Sequence, residues 1–246
     1  MRAFFVALMF LTRIPLPQLQ TSKTDWHKSA VFFPLVGFVI GGLLYLATLG
    51  LEFLFPTTVT AFLVVLVWIW VTGGLHIDGW MDLADGFGSN RSREQILEIM
   101  KDSRVGAMGV IAGICLLAGK WVAVYELLRQ GLAIILLISP LVARLLLIMA
   151  IRFFPYRKQG GIGEGLRTYL SLPIIILNFT TISAMSYYLL DINGILVLGC
   201  TAIFSGLLVF NIYKKLDMLT GDCYGALIEW SEVVFLFVSL AIWRVM

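Results

Sequence analysis

Charge is what this chain has least of. Of its 246 residues, 13% are Asp, Glu, Lys or Arg and 60% are hydrophobic, and mean hydropathy is +0.94. A soluble domain carries about a quarter charged residues, so that class is excluded and lipid is the solvent the composition fits. The net charge of +3 is small and its cations lie in short scattered clusters, which argues against nucleic acid as a partner. Cysteine is also scarce: Cys115, Cys200 and Cys223 are an odd number without metal-ligand spacing, and two sit in apolar runs. They read as packing residues, with no disulfide framework. Internal repeats and low-complexity linkers are missing too. The fold class expected is therefore all-α, a polytopic helical membrane bundle forming one domain over residues 1–246.

What is present divides into apolar runs and three unusual loops. Arg2 and the run Ala3 to Leu11 have the outline of a signal peptide, but Thr12-Arg13-Ile14-Pro15-Leu16-Pro17 offers no small-x-small cleavage pattern. The run is too short to span a bilayer, so residues 1–28 read as an interfacial or half-inserted segment ended by Pro15 and Pro17. Stretches of about 17 to 25 apolar residues mark seven expected crossings. They run from Ser29 to Phe55, Thr58 to Leu75, Gly106 to Leu128, Gly131 to Phe153, Leu172 to Leu190, Gly194 to Tyr213 and Ala226 to Val245. The last is the weakest, because Glu229 and Glu232 shorten its apolar part.

A cytoplasmic N-terminus makes every cation-bearing connection cytoplasmic: Arg91, Arg93, Lys101 and Arg104; Arg152, Arg157, Lys158 and Arg167; Lys214 and Lys215. The opposite connections, Leu54 to Thr57, Arg129 to Gln130 and Asp191 to Asn193, are nearly bare, as the positive-inside rule demands. All the acid-rich and glycine-rich loops then share the cytoplasmic face.

The first of these loops starts at His76-Ile-Asp-Gly-Trp-Met-Asp-Leu-Ala-Asp-Gly-Phe-Gly. Asp78, Asp82 and Asp85 stand at i, i+4 and i+7, so on a helix they leave from one face and repel each other unless a cation lies between them. Oxygen donors suit Mg²⁺, with Mn²⁺ as a substitute, and Mg²⁺ takes one or two carboxylates, waters and substrate phosphates. Phosphate chemistry at a membrane is the expectation. Asp102, across the loop, would close the metal site, while Lys101 and Arg104 would clamp phosphate oxygens. Gly79, Gly86 and Gly88 would leave the backbone open to ligand. Asp102 and Ser103 also suit N-caps for the third crossing. His76 fits a polar interface as well as a ligand set.

The second loop, Phe154 to Gly165, pairs Arg157 and Lys158 with a glycine-rich turn in which Gly160 and Gly161 would cradle an anion through backbone amides. It lacks the lysine and hydroxyl of a P-loop. In the third loop, Asp222, Glu229 and Glu232 serve either as helix-dipole partners or as a further part of the metal and substrate site. Two cations lie inside expected crossings. Lys120, close to Glu126, reads as snorkelling to the outer interface, whereas Arg144 must face the bundle interior and is expected to bind an anion.

At these residues the chain resembles the cobalamin synthase family, also called adenosylcobinamide-GDP ribazoletransferase. The resemblance runs through Phe10-Leu-Thr-Arg-Ile-Pro-Leu-Pro17, Phe33-Pro-Leu-Val-Gly37, Gly73-Gly-Leu-His-Ile-Asp-Gly79, Ala84-Asp-Gly86, Ile99-Met-Lys-Asp-Ser-Arg-Val-Gly106, Phe154-Pro-Tyr156 and Thr220-Gly-Asp222. It departs at Trp80-Met81, where a smaller pair is expected, which touches packing and not chemistry. The resemblance implies a multipass enzyme of the prokaryotic inner membrane that joins adenosylcobinamide-GDP to α-ribazole or its 5′-phosphate, releases GMP and requires Mg²⁺. In that reaction Asp78, Asp82 and Asp85 are expected to hold the ion, Lys101 and Arg104 to stabilise the diphosphate, and either Asp82 or Asp85 to take the hydroxyl proton. Nothing in the sequence specifies or forbids an oligomer.

Two rivals fit less well. A CDP-alcohol phosphotransferase usually sets Asp-Gly after a two-residue gap and then Ala-Arg, whereas here three residues separate Asp78 from Asp82 and Ala84 precedes Asp85. A divalent-cation transporter needs carboxylates at mid-membrane depth, and the runs are expected to hold none.

Overall fold

A computed structural model describes residues 1–17, 20–156, 161 and 163–244. The N-terminal apolar run forms α1 (Arg2–Leu11), ten residues or about 15 Å, half the thickness of a ~30 Å hydrocarbon core. It stops at Thr12, whose hydroxyl donates to the Leu8 carbonyl at 2.6 Å. A capping box between Ser22 and Asp25 opens α2 (Lys23–Ser29), which leads into α3 (Phe33–Leu54). There follow α4 (Thr57–Thr72), α5 (Leu75–Gly88), α6 (Arg93–Ile99), α7 (Ala107–Arg129), α8 (Ile135–Phe153), α9 (Leu172–Leu216) and α10 (Gly221–Arg244).

The bundle is organised around α8, which is buried along nearly its whole length from Ile135 to Ile151. Lipid tails are as apolar as leucine, so helices in a bilayer associate through close packing and hydrogen bonds and not through exclusion of water. The sequence supplies the close packing as Gly37 and Gly41 on α3. A side-chain carbon on either would collide with a backbone carbonyl of α8, at Pro140 and Leu137 respectively. That small-xxx-small spacing lays α3 directly on α8. On its other side α8 meets α10, the second central helix, with Phe235 and Leu236 fully buried between them and their neighbours.

Five helices are long and apolar enough to cross a membrane, or six when α4 and α5 are taken as one bent span. The expected seven requires counting α9 twice. Its 45 residues would extend about 68 Å if straight, more than twice a hydrocarbon core. The helix is broken at Asp191, where φ is 52° and ψ −149°. A side chain at Gly194 would collide with the Ser186 carbonyl, so the chain doubles back there. The last expected crossing begins earlier than the composition suggested: α10 starts at Gly221, and Glu229 and Glu232 lie inside it, buried.

The fourth and fifth helices meet at 91°. Gly73 and Gly74 both adopt left-handed backbone, with φ of 66° and 70°, a conformation that costs other residues about 1–2 kcal/mol each. A side chain on Gly73 would also strike Arg13, whose backbone N–H donates to Val71 O at 2.7 Å. Two consecutive glycines thus turn α5 off the axis of α4, and we read α5 as running along the membrane face, outside the spanning stretch.

Candidate functional site

The expected aspartate helix exists: Asp78, Asp82 and Asp85 all lie on α5. What holds it against the bundle is glycine. A Cβ on Gly79 would lie 2.7 Å from Asp222 O and 2.9 Å from Asp222 Cα, and a Cβ on Gly225 would lie 3.2 Å from His76 Cα. At this crossing α5 and α10 touch backbone to backbone, and the contact brings Asp222 to Asp78 and Asp82. Gly86 and Gly88 likewise admit Met100 and Met108. The three glycines serve helix packing; the expectation that they leave room for ligand is corrected.

The carboxylates then diverge in role. Asp85 accepts hydrogen bonds from the backbone N–H groups of Gly106 and Gly109, each at 2.7 Å. It satisfies the free amides that open α7, the capping task expected of Asp102 and Ser103. Asp102 instead binds Arg104, with Nη2 to Oδ2 at 2.6 Å, and those hydrogen bonds hold its carboxyl down at about 2. Arg104 itself is 87% exposed. Asp82 behaves oppositely: partial burial, then the charges of Asp78, Asp222 and Asp85, push its pKa up to about 7. Asp222 sits in the first turn of α10, where Thr220 caps the helix by accepting from Cys223 N at 3.3 Å and donates to Asp222 Oδ2 at 3.2 Å.

Two spaces open at these acids. One is a cleft of about 200 Å³ lined by Asp78, Met81, Asp82, Lys101, Asp102 and Ser103 among others. The other is a mainly apolar cavity of about 90 Å³, walled by α1, α3, α5, α8 and α10 with Gly163 and Leu166, and bordered by Asp78 and Asp222. Asp78 is the one residue both linings share.

Among the described residues no group of three His, Cys, Asp or Glu side chains is placed to enclose a metal by itself. The donor set still fits Mg²⁺. That ion is held by one or two carboxylates with water and substrate phosphate, and mutual repulsion raises Asp82 where Asp78 and Asp222 face it. With Asp85 bonded to α7 and Asp102 to Arg104, Asp78 and Asp222 are the carboxylates that would hold such an ion beside Asp82.

Deeper in the bundle lies a balanced ionic cluster. Lys120 Nζ donates to Glu229 Oε2 and Glu232 Oε2, each at 2.6 Å, and stands 4.3 Å from the Trp68 ring centroid. Arg144, 0% exposed, pairs with Glu232 Oε1 and places Nη2 3.4 Å from His76 Nδ1. Snorkelling of Lys120 is thus corrected: two carboxylates inside the bundle outweigh the distant interface. Arg144 faces inward as expected, with a glutamate as its anion. The expectation of no carboxylate at depth is corrected as well, but both glutamates are matched by the chain's own cations and carry no surplus charge for an ion to be transported. Two cations and two acids inside apolar runs were the available signal, since intramembrane charges pair.

The second loop is described in part. Arg157, Lys158 and Gly160 lie outside the described residues. Gly161 lies against the Tyr156 hydroxyl, and Gly163 N donates to that oxygen at 2.9 Å. The Tyr156 ring stacks on Tyr224 at 5.5 Å, and Leu219 N donates to Pro155 O at 2.9 Å, so the second and third loops are joined. Arg93 bonds Asp217 at 2.7 Å and joins the first loop to the third.

Comparison with known proteins identifies what these features have in common. A family model described as cobalamin-5-phosphate synthase matches residues 3–240. The chain belongs to this family. It is 47% identical over 249 residues to the adenosylcobinamide-GDP ribazoletransferase of Brevibacillus brevis, covering 99% of each. Proteins of that name from Clostridium botulinum and Acetivibrio thermocellus are each 36% identical, the first covering 96% of both chains and the second 92%. No solved structure matches. The cobalamin-5-phosphate synthase family is thus a family of transferases, and the blocks through which the chain resembles it converge in space. Arg13 packs on Gly73, Gly79 on Asp222, Gly106 on Asp85, and Tyr156 beside Tyr224. Even Trp80-Met81 is accommodated: Trp80 stacks on Trp230 at 5.9 Å and Met81 fits against Gly113.

Proposed function

We propose that this chain joins adenosylcobinamide-GDP to α-ribazole or its 5′-phosphate and releases GMP, the step that completes the nucleotide loop of cobalamin. The mechanism rests on Asp82, which faces Asp78 and Asp222 beside a cleft that Lys101 also lines. A ribazole hydroxyl oxygen bonds to the phosphorus attached to cobinamide while the bond from that phosphorus to the bridging oxygen breaks. The bridging oxygen leaves with GMP, and the hydroxyl proton passes to Asp82, the carboxylate of the cluster that partial burial and the neighbouring acids make most basic. Bound between Asp78 and Asp222, Mg²⁺ would supply neutralisation of charge on the attacking and leaving oxygens. Lys101 and the exposed Arg104 reach the diphosphate as point charge and planar fork. Asp85 and Asp102 position the helix and the arginine.

We place the site on the cytoplasmic face of a prokaryotic inner membrane, since the loops that build it carry nearly all the Lys and Arg of the connections. Purified protein incubated with adenosylcobinamide-GDP, ribazole phosphate and Mg²⁺ should yield GMP and the joined corrinoid by mass spectrometry, and no GMP without Mg²⁺. Absence of both products at full Mg²⁺ would reject the reading.

A further inference from the structure

The apolar cavity beside the acids is furnished as a binding site. Its wall includes Phe10, Phe33, Leu166 and Ile228, and its polar groups are few. Two of them are without partners: among the described residues, neither His76 Nε2 nor the Tyr224 hydroxyl has a hydrogen bond, although both residues are over nine-tenths buried. Arg144 can only donate, so His76 Nδ1 accepts from it and Nε2 carries the proton. The cavity therefore offers an apolar slot, a ring N–H donor and a phenol.

We propose that this cavity seats the flat heteroaromatic base of the acceptor nucleoside, oriented by His76 and Tyr224. The inference rests on the proposed function and adds to it where the acceptor lies. At about 90 Å³ the cavity is smaller than an engineered ~150 Å³ apolar cavity that holds one benzene ring, so it takes part of a flat base and excludes a corrin. Its border at Asp78 and Asp222 puts the sugar of a nucleoside so seated beside Asp82. The donor diphosphate then occupies the neighbouring cleft with Lys101, and Asp78 stands between them. An in-line displacement needs this separation, with attacking and leaving oxygens approaching phosphorus from opposite sides. A base bearing an unsubstituted ring nitrogen accepts from His76 Nε2, and its faces meet Phe10 and Leu166.

The test uses benzimidazole as probe on the full-length protein. In the wild type it should inhibit GMP release competitively against ribazole phosphate and not against adenosylcobinamide-GDP, and indene, lacking the nitrogen, should inhibit about tenfold less well. Gly221 stands at the exposed rim of the cavity and a Cβ on it would meet no heavy atom within 4 Å, so Gly221→Leu adds bulk at the cavity mouth without a Cβ clash. That variant should raise KM for ribazole phosphate about tenfold or more while KM for the corrinoid donor, which also reports correct folding, stays within about twofold. Tyr224→Phe should raise the acceptor KM alone by about fivefold. Competition of benzimidazole with the corrinoid donor, or equal rises in both KM values, would overturn the inference. If the wild type releases no GMP, the functional reading fails by itself. Calorimetry then decides the cavity: benzimidazole binding that Gly221→Leu abolishes supports it, and no binding, or binding unchanged by Gly221→Leu, overturns it.

Discussion

Gly79 lies so close to Asp222 that a methyl group on it would stand 2.7 Å from the Asp222 carbonyl oxygen. The acid cluster exists because of that contact: α5 and α10 approach backbone to backbone, and Asp222 comes within electrostatic reach of Asp78 and Asp82. Gly79→Val should therefore push the helices apart, costing about 1–3 kcal/mol of stability by overpacking. GMP release should fall further than that loss explains. Melting in detergent and turnover below the melting temperature separate the two effects, and turnover at wild-type level would show that the approach is not needed.

Glu232 bridges Lys120 and Arg144 at the centre of the bundle. Glu232→Gln leaves two buried cations facing the single carboxylate of Glu229, and removal of one partner from such a buried pair costs about 3–5 kcal/mol. Lys120→Met with Glu229→Gln removes one charge of each sign and should cost less than the two single changes summed. Thermal melting of the four proteins measures the coupling, and strict additivity would deny it.

Asp82 makes the stability of the metal-free protein depend on pH. Its folded pKa of about 7 lies above the ordinary 3.8, so between those values the native chain holds a proton that the unfolded chain has lost. Stability of the Mg²⁺-free protein should then fall as pH rises from about 4 to 7. Mg²⁺ should raise the melting temperature more at pH 8 than at pH 5, because the ion and the proton compete for the same cluster. In Asp82→Asn the metal-free slope should flatten; an unchanged slope would assign it elsewhere.

A chain that crosses seven times from a cytoplasmic N-terminus, as the sequence leads us to expect, has its C-terminus outside. A reporter fused after Met246 should behave as external, as the bare connections at Leu54 to Thr57, Arg129 to Gln130 and Asp191 to Asn193 predict. A cytoplasmic reporter would mean an even count, with the break at Asp191 or the short α4 as the place to look.

Helices were legible where apolar runs were long, and the aspartate helix was legible from its i, i+4, i+7 spacing. The roles of its members were not. Asp85 meets Gly106 and Gly109 more than twenty residues away, a tertiary contact that no local spacing encodes. The 91° corner was written in Gly73-Gly74, but adjacent glycines state only that the backbone is free to turn, not in which direction. Lys120 was misjudged because proximity in sequence to Glu126 suggested the interface, while its partners Glu229 and Glu232 come from the other end of the chain. Asp222 was legible as a helix-end acid or a further member of the site; its place beside Asp82 required the Gly79 contact.

Asp78, Asp82 and Asp222 are proposed here as the reacting cluster, with Asp85 holding α7. GMP release and melting temperature should be measured side by side for Asp78→Asn, Asp82→Asn, Asp222→Asn and Asp85→Asn. The first three should stay folded and lose about 10²–10⁴ in Mg²⁺-dependent turnover, whereas Asp85→Asn should lose about 1–3 kcal/mol of stability and less activity. Near-normal GMP release by the first three, each assayed alone, would contradict this assignment.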